Sequence, residues 1–179
     1  MTDDADIVDT ARTLLDEQLG DLIEAAFLYG SIAAGKATAR SDIDLFVITR
    51  DVLPAAHRTT IQATARSWQR KLGFQPDPQH PIELFSIEAC VDAMHAPLLL
   101  RALYSAGRGD TLDPGTLNSD CFEVLRAMLN PHLLVRDSPV LASLVTLAHQ
   151  RFDHASSRHA ISHAELAHRI GLKHHTTAT

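Results

Sequence analysis

Apolar positions recur along this chain with two different periods, and the switches between them mark the elements. Between residues 6 and 19, Ile7, Val8, Ala11, Leu14, Leu15 and Leu19 fall near helical spacing. Gly20 is placed to stop that helix. Ala25-Ala26-Phe27-Leu28-Tyr29 is a short continuous apolar run ending at Gly30, the pattern of a buried strand. Residues 43–49 alternate instead, with Ile43, Leu45 and Val47 on one face and Asp42, Asp44 and Phe46 on the other. The spacing predicts a helix over 54–72, with Pro54 in its first turn and Gly73 beyond its end. A proline-rich loop at 75–81 leads to a third strand at 82–87, where Glu83 alternates with Leu84.

Beyond this strand the helical period takes over. Helices are predicted over 88–104 and 119–130, with a turn at Gly107-Arg108-Gly109-Asp110 between them. Ser138-Pro139 reads as a cap and first turn, followed by Leu141, Leu144, Val145, Ala148 and Phe152 on one stripe. A last helix is expected from about 160 to 170. The order α-β-β-α-β followed by helices predicts an α/β (α+β) fold: a small mixed sheet flanked by helices. We divide it into a sheet-bearing domain at 1–112 and a helical C-terminal region at 113–179.

Composition narrows the functional classes. The formal net charge is -6, which argues against a nonspecific grip on a nucleic-acid backbone. No apolar run reaches membrane-spanning length. The acidic start, Met1-Thr2-Asp3-Asp4-Ala5-Asp6, does not resemble a secretory signal, so a cytoplasmic location is expected. Cys90 and Cys121 lack CxxC spacing and are read as reduced and structural.

The candidate chemistry lies in GSIAAGKATARSDIDL, residues 30–45, which offers two readings. Gly30 to Lys36 fits the opening of a phosphate-binding P-loop. That loop needs Ser or Thr directly after its lysine, and the residue here is Ala37. It must also open a helix, yet only five residues separate Lys36 from Asp42. The second half is chemically more coherent. Asp42 and Asp44 are alternate residues at the start of the predicted strand, so both carboxylates face the same way and repel. A hard divalent cation relieves that repulsion, and Mg²⁺ suits one or two carboxylates completed by substrate phosphates and water. Glu83, on a neighbouring strand, stands where a third carboxylate is needed; Glu88 and Asp92 fall in the following helix.

Gly30-Ser31, ten further residues, then Asp42-x-Asp44, all preceded by a buried strand, resembles the signature of the polymerase-beta-type nucleotidyltransferases. Within them the chain is most similar to the minimal nucleotidyltransferases and the bacterial aminoglycoside adenylyltransferases, over roughly residues 20–90. The resemblance implies a nucleotidyltransferase fold in the first domain. It also implies transfer of a nucleoside monophosphate, AMP being expected from ATP, to an acceptor hydroxyl with release of pyrophosphate. Carried over by position, Gly30 and Ser31 hold the triphosphate, and Asp42 and Asp44 hold two Mg²⁺ ions. Many members use Asp as third carboxylate; here Glu83 takes that place as metal ligand or proton acceptor. Lys36 and Arg40 are candidates to neutralise phosphate charge and Ser41 to contact the nucleotide, against the plain reading of solvated loop residues.

The helical region is small for gripping an antibiotic, so the leading acceptor is a protein, as in minimal nucleotidyltransferases paired with a helical toxin partner. A small-molecule acceptor is the alternative. A catalytically silent domain that neutralises a partner by contact is another, since motif and fold do not prove turnover. Asp42 as a turn cap, Asp44 as a solvated strand residue and Glu83 as an ordinary half-exposed strand residue are the bland readings. His149, His154, His159, His163 and His168 invite a zinc reading, but no acidic or Cys partner completes a known ligand pattern. Residues 165–172 resemble the start of a helix-turn-helix without a recognition helix.

Overall fold

The structure is a computed structural model that describes residues 3–38 and 40–173. Met1 and Thr2 of the acidic start, and His174 and His175 with the rest of the C-terminal region after 173, lie outside the described residues. The chain divides into two compact units, Met1–Ile87 with Pro131–Val140, and Glu88–Asn130 with Leu141–Thr179.

The first unit is built on four strands in the order β3-β2-β1-β4. They are β1 (Ile23–Leu28), β2 (Leu45–Thr49), β3 (Glu83–Ser86) and β4 (Leu133–Arg136). β1 pairs antiparallel with both β2 and β4, while β2 and β3 run parallel, giving a mixed sheet. The parallel pair needs a long crossover. Helix α3 (Ala55–Lys71) supplies it. Helix α1 (Asp4–Gln18) presents Ile7, Ala11, Leu14 and Leu15 at helical spacing. Those residues join Ile61, Ala65 and Trp68 of α3 and Ile43, Leu45, Val47 and Leu84 of the sheet in one core. Trp68 Nε1 donates to Thr10 Oγ1 at 3.1 Å, tying α3 to α1. The opposite face of the sheet carries a row of stacked rings, Phe27–Phe46 and Phe46–Phe85, with centroids 5.3 Å apart in each pair.

The second unit is helical: α4 (Ile87–His95, its first residue in the first unit), α5 (Pro97–Arg108), α6 (Pro114–Leu117), α7 (Asp120–Leu129), most of α8 (Pro139–His159) and α9 (His163–Arg169). Arg169 Nη1 donates to the carbonyls of Ala106 and Gly107, satisfying the open end of α5. Ser162 caps α9 by accepting from Glu165 N at 3.1 Å. Cys90 and Cys121 are free and buried here, and burial pushes the Cys90 thiol up to about 12.

Several boundaries differ from the sequence reading. The helix expected over 88–104 is two helices, because Pro97 forces Ala96 out of the helical region to ψ 128. Gly107 and Arg108 belong to α5, which ends at Gly109 with φ 98. Pro54 caps α3 from outside rather than sitting in its first turn. The last helix starts at His163 instead of 160, after Ala160 adopts φ 52. β4, α6 and the short helix α2 (Gly30–Ala33) are elements the periodicity did not mark. β2 begins at Leu45, so Asp42 and Asp44 occupy the extended segment leading into it.

Candidate active site

The candidate residues gather where β1 ends and β2 begins. The antiparallel ladder continues past Leu28↔Leu45, where Tyr29 N donates to Asp44 O at 3.0 Å. The next residue, Gly30, therefore lies against Asp44 although fourteen positions separate them. Its φ is +66, and a Cβ built on it would lie 1.9 Å from Asp44 Oδ2. Only glycine allows both the backbone conformation and the carboxylate's approach.

After Gly30 the chain makes the single turn α2, closed by Ala34 N donating to Gly30 O and Lys36 N donating to Ser31 O. The Ser31 Oγ is buried and has no hydrogen-bond partner. A buried, unpaired hydroxyl costs about 1–3 kcal/mol, so each such atom calls for an explanation, and a bound ligand is one. Among the described residues no helix follows Lys36 before α3 begins at Ala55, unlike the P-loop's strand–loop–helix sequence. Lys36 and Arg40 are exposed. Ser41 is engaged within the loop: its Oγ accepts from Thr38 N at 2.9 Å, and its N donates to Thr38 O.

Ile43 is buried in the core with Leu45 and Val47, which turns half-buried Asp42 and Asp44 to the opposite face, the one carrying Phe46. Glu83 is in register with Phe46 on the parallel neighbour, so it shares that face and is also half-buried. Strand geometry puts the Asp44 and Glu83 Cα atoms about 8 Å apart. The structure thus brings Gly30 and Asp44 into contact and sets Asp42, Asp44 and Glu83 on one face. It does not gather three of them: among the described residues no three His, Cys, Asp or Glu side chains are arranged to hold a metal ion. In the second unit, His163 Nε2 lies 3.2 Å from Asp153 Oδ1, and His159 meets the Tyr104 ring edge-on.

Two residues at the site went unnoticed in the sequence, Gln62 and Gln69 of α3. Gln69 is fully buried, and its side-chain amide bonds the backbone at Ile43 and Pro81. Gln62 bonds the backbone at Ile82. The available signal was their spacing. They sit seven residues apart on the apolar stripe of Ile61, Ala65 and Trp68, where a polar side chain needs partners.

Residues 12–91 match the model of a family described as "Polymerase beta, Nucleotidyltransferase". No curated protein matches the chain. Among solved structures, a toxin–antitoxin crystallised with AMP-PNP is similar, with 13% identity and a TM-score of 0.49 over 86% of this chain and 92% of that one. A mutant of the toxin–antitoxin MntA–HpeT gives 11% identity and a TM-score of 0.47 over the same shares. At that level of likeness neither structure bears on acceptor or partner.

Proposed function

We propose that this chain, whose residues 12–91 match the polymerase beta nucleotidyltransferase family, is a transferase that moves AMP from ATP to a hydroxyl group of an acceptor, using Mg²⁺. The observation that carries this reading is the contact of Gly30 with Asp44, beside the unpaired, buried Ser31 Oγ. It brings the two ends of the motif together.

The residues present fit a hard divalent cation. Asp42 and Asp44 are oxygen donors on one face, and Gly30 has no side chain to push Asp44 Oδ2 out of place. When bound with the triphosphate, Mg²⁺ would offset phosphate charge and lower the pKa of the acceptor hydroxyl. Asp42 and Asp44 are the residues that would hold it. Ser31 Oγ and the backbone at Gly30 would receive the phosphates, and Lys36 and Arg40 would add mobile positive charge. In the reaction the acceptor oxygen bonds to the α-phosphorus. The bond from that phosphorus to the oxygen bridging the β-phosphate breaks, and pyrophosphate leaves with the electron pair. Glu83 serves as a further ligand or takes the hydroxyl proton. The protein's contribution is mostly placement and charge compensation.

For the acceptor we favour a hydroxyl on a helical partner protein. The test is incubation with each nucleoside triphosphate, Mg²⁺ and the product of the adjacent reading frame, read by intact mass. A gain of one nucleoside monophosphate on that product supports the reading. The same gain on a small molecule moves the acceptor class, and binding without any mass change leaves a silent binding module.

Two loop substitutions rank the ligands. Ser31→Ala should leave the unliganded protein as stable as wild type or up to about 1 kcal/mol more stable, because it removes an unpaired buried hydroxyl. It should nevertheless raise KM for the triphosphate about tenfold, the worth of one charge-assisted hydrogen bond. Lys36→Ala, in an exposed position, should raise KM only about twofold. Steady-state kinetics on both variants check this, and the reverse ranking would count against the assignment.

A further inference from the structure

The Asp42–Asp44 segment has a strand on one side only. Tyr29 reaches it from β1, but β3 starts at Glu83, opposite Phe46, too late to pair with Ile43. The missing neighbour is replaced by side chains of α3. Gln69 Oε1 accepts from Ile43 N at 3.0 Å, and Gln69 Nε2 donates to Ile43 O at 3.1 Å. This is the two-bond exchange of a strand pair, made by an amide side chain. The second N–H of the same amide donates to Pro81 O, two residues before Glu83. One heptad earlier, Gln62 repeats the device: its Nε2 donates to Ile82 O at 2.9 Å, and its Oε1 accepts from Ile82 N at 3.3 Å.

We propose that Gln69 is the positioning residue of the nucleotidyl-transfer site, setting the aim of Asp42 and Asp44 and their distance from Glu83. The proposal rests on the functional reading above. Ile43 is the residue between the two aspartates, and Pro81 leads into the Glu83 strand, so one fully buried amide ties together the two stretches that carry the three carboxylates. Both of its N–H donors and its oxygen are engaged with these peptides. An apolar side chain of the same size would fill the space and leave three peptide groups unpaired. Groups that orient metal-binding side chains from behind act without touching the substrate.

The experiment compares wild type, Gln69→Met and Gln69→Asn. It reads amide hydrogen exchange at Ile43 and Val47, Mn²⁺ binding by electron paramagnetic resonance in the presence of the triphosphate, and transfer kinetics. For Gln69→Met, protection should be lost at Ile43 and kept at Val47. Mn²⁺ affinity should fall about tenfold and kcat about a hundredfold, with KM for the triphosphate changed less than about threefold. Gln69→Asn, which keeps the amide on a shorter arm, should fall between the two, and it carries the test alone if the methionine variant does not fold. Wild-type kcat and Mn²⁺ affinity in a variant that has lost Ile43 protection would overturn the proposal. So would equal loss of protection at Ile43 and Val47, which marks general loosening. If the wild-type protein transfers no nucleotide, the functional reading fails on its own. The exchange and Mn²⁺ measurements still decide whether Gln69 positions the aspartates.

Discussion

Asp44→Asn should lower kcat/KM for nucleotide transfer by at least about 10³-fold, and Asp42→Asn should do the same, while both proteins keep their fold. The size follows from charge. A carboxylate that holds a divalent cation against a triphosphate is worth several kcal/mol in the transition state, and about 4 kcal/mol is a thousandfold in rate. The amide oxygen of Asn still binds a hard cation, but without the charge that offsets the phosphates. Stability should move the other way or not at all, because Asp42 and Asp44 share one face of an extended segment and each substitution relieves a like-charge pair. Urea melts of both variants, set beside their kinetics, separate the two effects. A variant that retains transfer would remove the metal role. A variant that unfolds would mean that the aspartates hold the loop together.

The second large effect is at Gly30, with Gly35 as its control. Both residues have positive φ, +66 and +64, so alanine at either position incurs backbone strain of about 1–2 kcal/mol. Their surroundings differ. A Cβ at Gly35 meets nothing within 4 Å, whereas one at Gly30 lands 1.9 Å from Asp44 Oδ2. Gly35→Ala should therefore lose stability with little change in kcat. Gly30→Ala should suffer the same strain and also push the Asp44 carboxylate aside, lowering kcat/KM about a hundredfold or more, as misplacement of a reacting group by an ångström does. Equal activity loss in the two variants would show that the clash with Asp44 is not what matters.

What the sequence disclosed follows the range of the interactions involved. β1, β2 and β3 are buried enough to be written as apolar runs or alternations, and the crossover α3 has a clean stripe, so the sheet's core was legible. The motif was legible because it is short, and its two ends meet through a hairpin-like pairing of adjacent elements, β1 and the start of β2. β4 was not. It has four residues, lies at an edge with Leu134 46% exposed, and owes its existence to Phe27↔Leu134 and Leu28↔Leu133 pairing across more than a hundred residues. Its further anchors, Arg12 Nε donating to Val135 O and Arg136 Nη1 donating to Gly20 O, are equally distant in sequence. The break between α4 and α5 was readable from Pro97, but the apolar stripe running through it masked it. Gln69 illustrates the remaining limit. A polar residue on an apolar stripe announces that it has partners, but only the fold reveals that they are the peptide between two aspartates and the peptide leading to Glu83.

The late return of β4 has a consequence for how the protein is made. As the chain leaves the ribosome, β1, β2 and β3 become available within the first 86 residues, but the open edge of β1 has no partner until residues 133–136 emerge. At about 5–20 residues per second, that edge waits several seconds while the helices between β3 and β4 are synthesised. During this interval the nascent sheet presents unpaired backbone groups beside an apolar strand, the kind of surface that recruits other chains. Any fragment that stops before Leu133 makes the interval permanent. Helices α4 to α7 are thus an insertion that the sheet must tolerate before it can close, and the order of synthesis places the protein's period of greatest vulnerability to aggregation between β3 and β4.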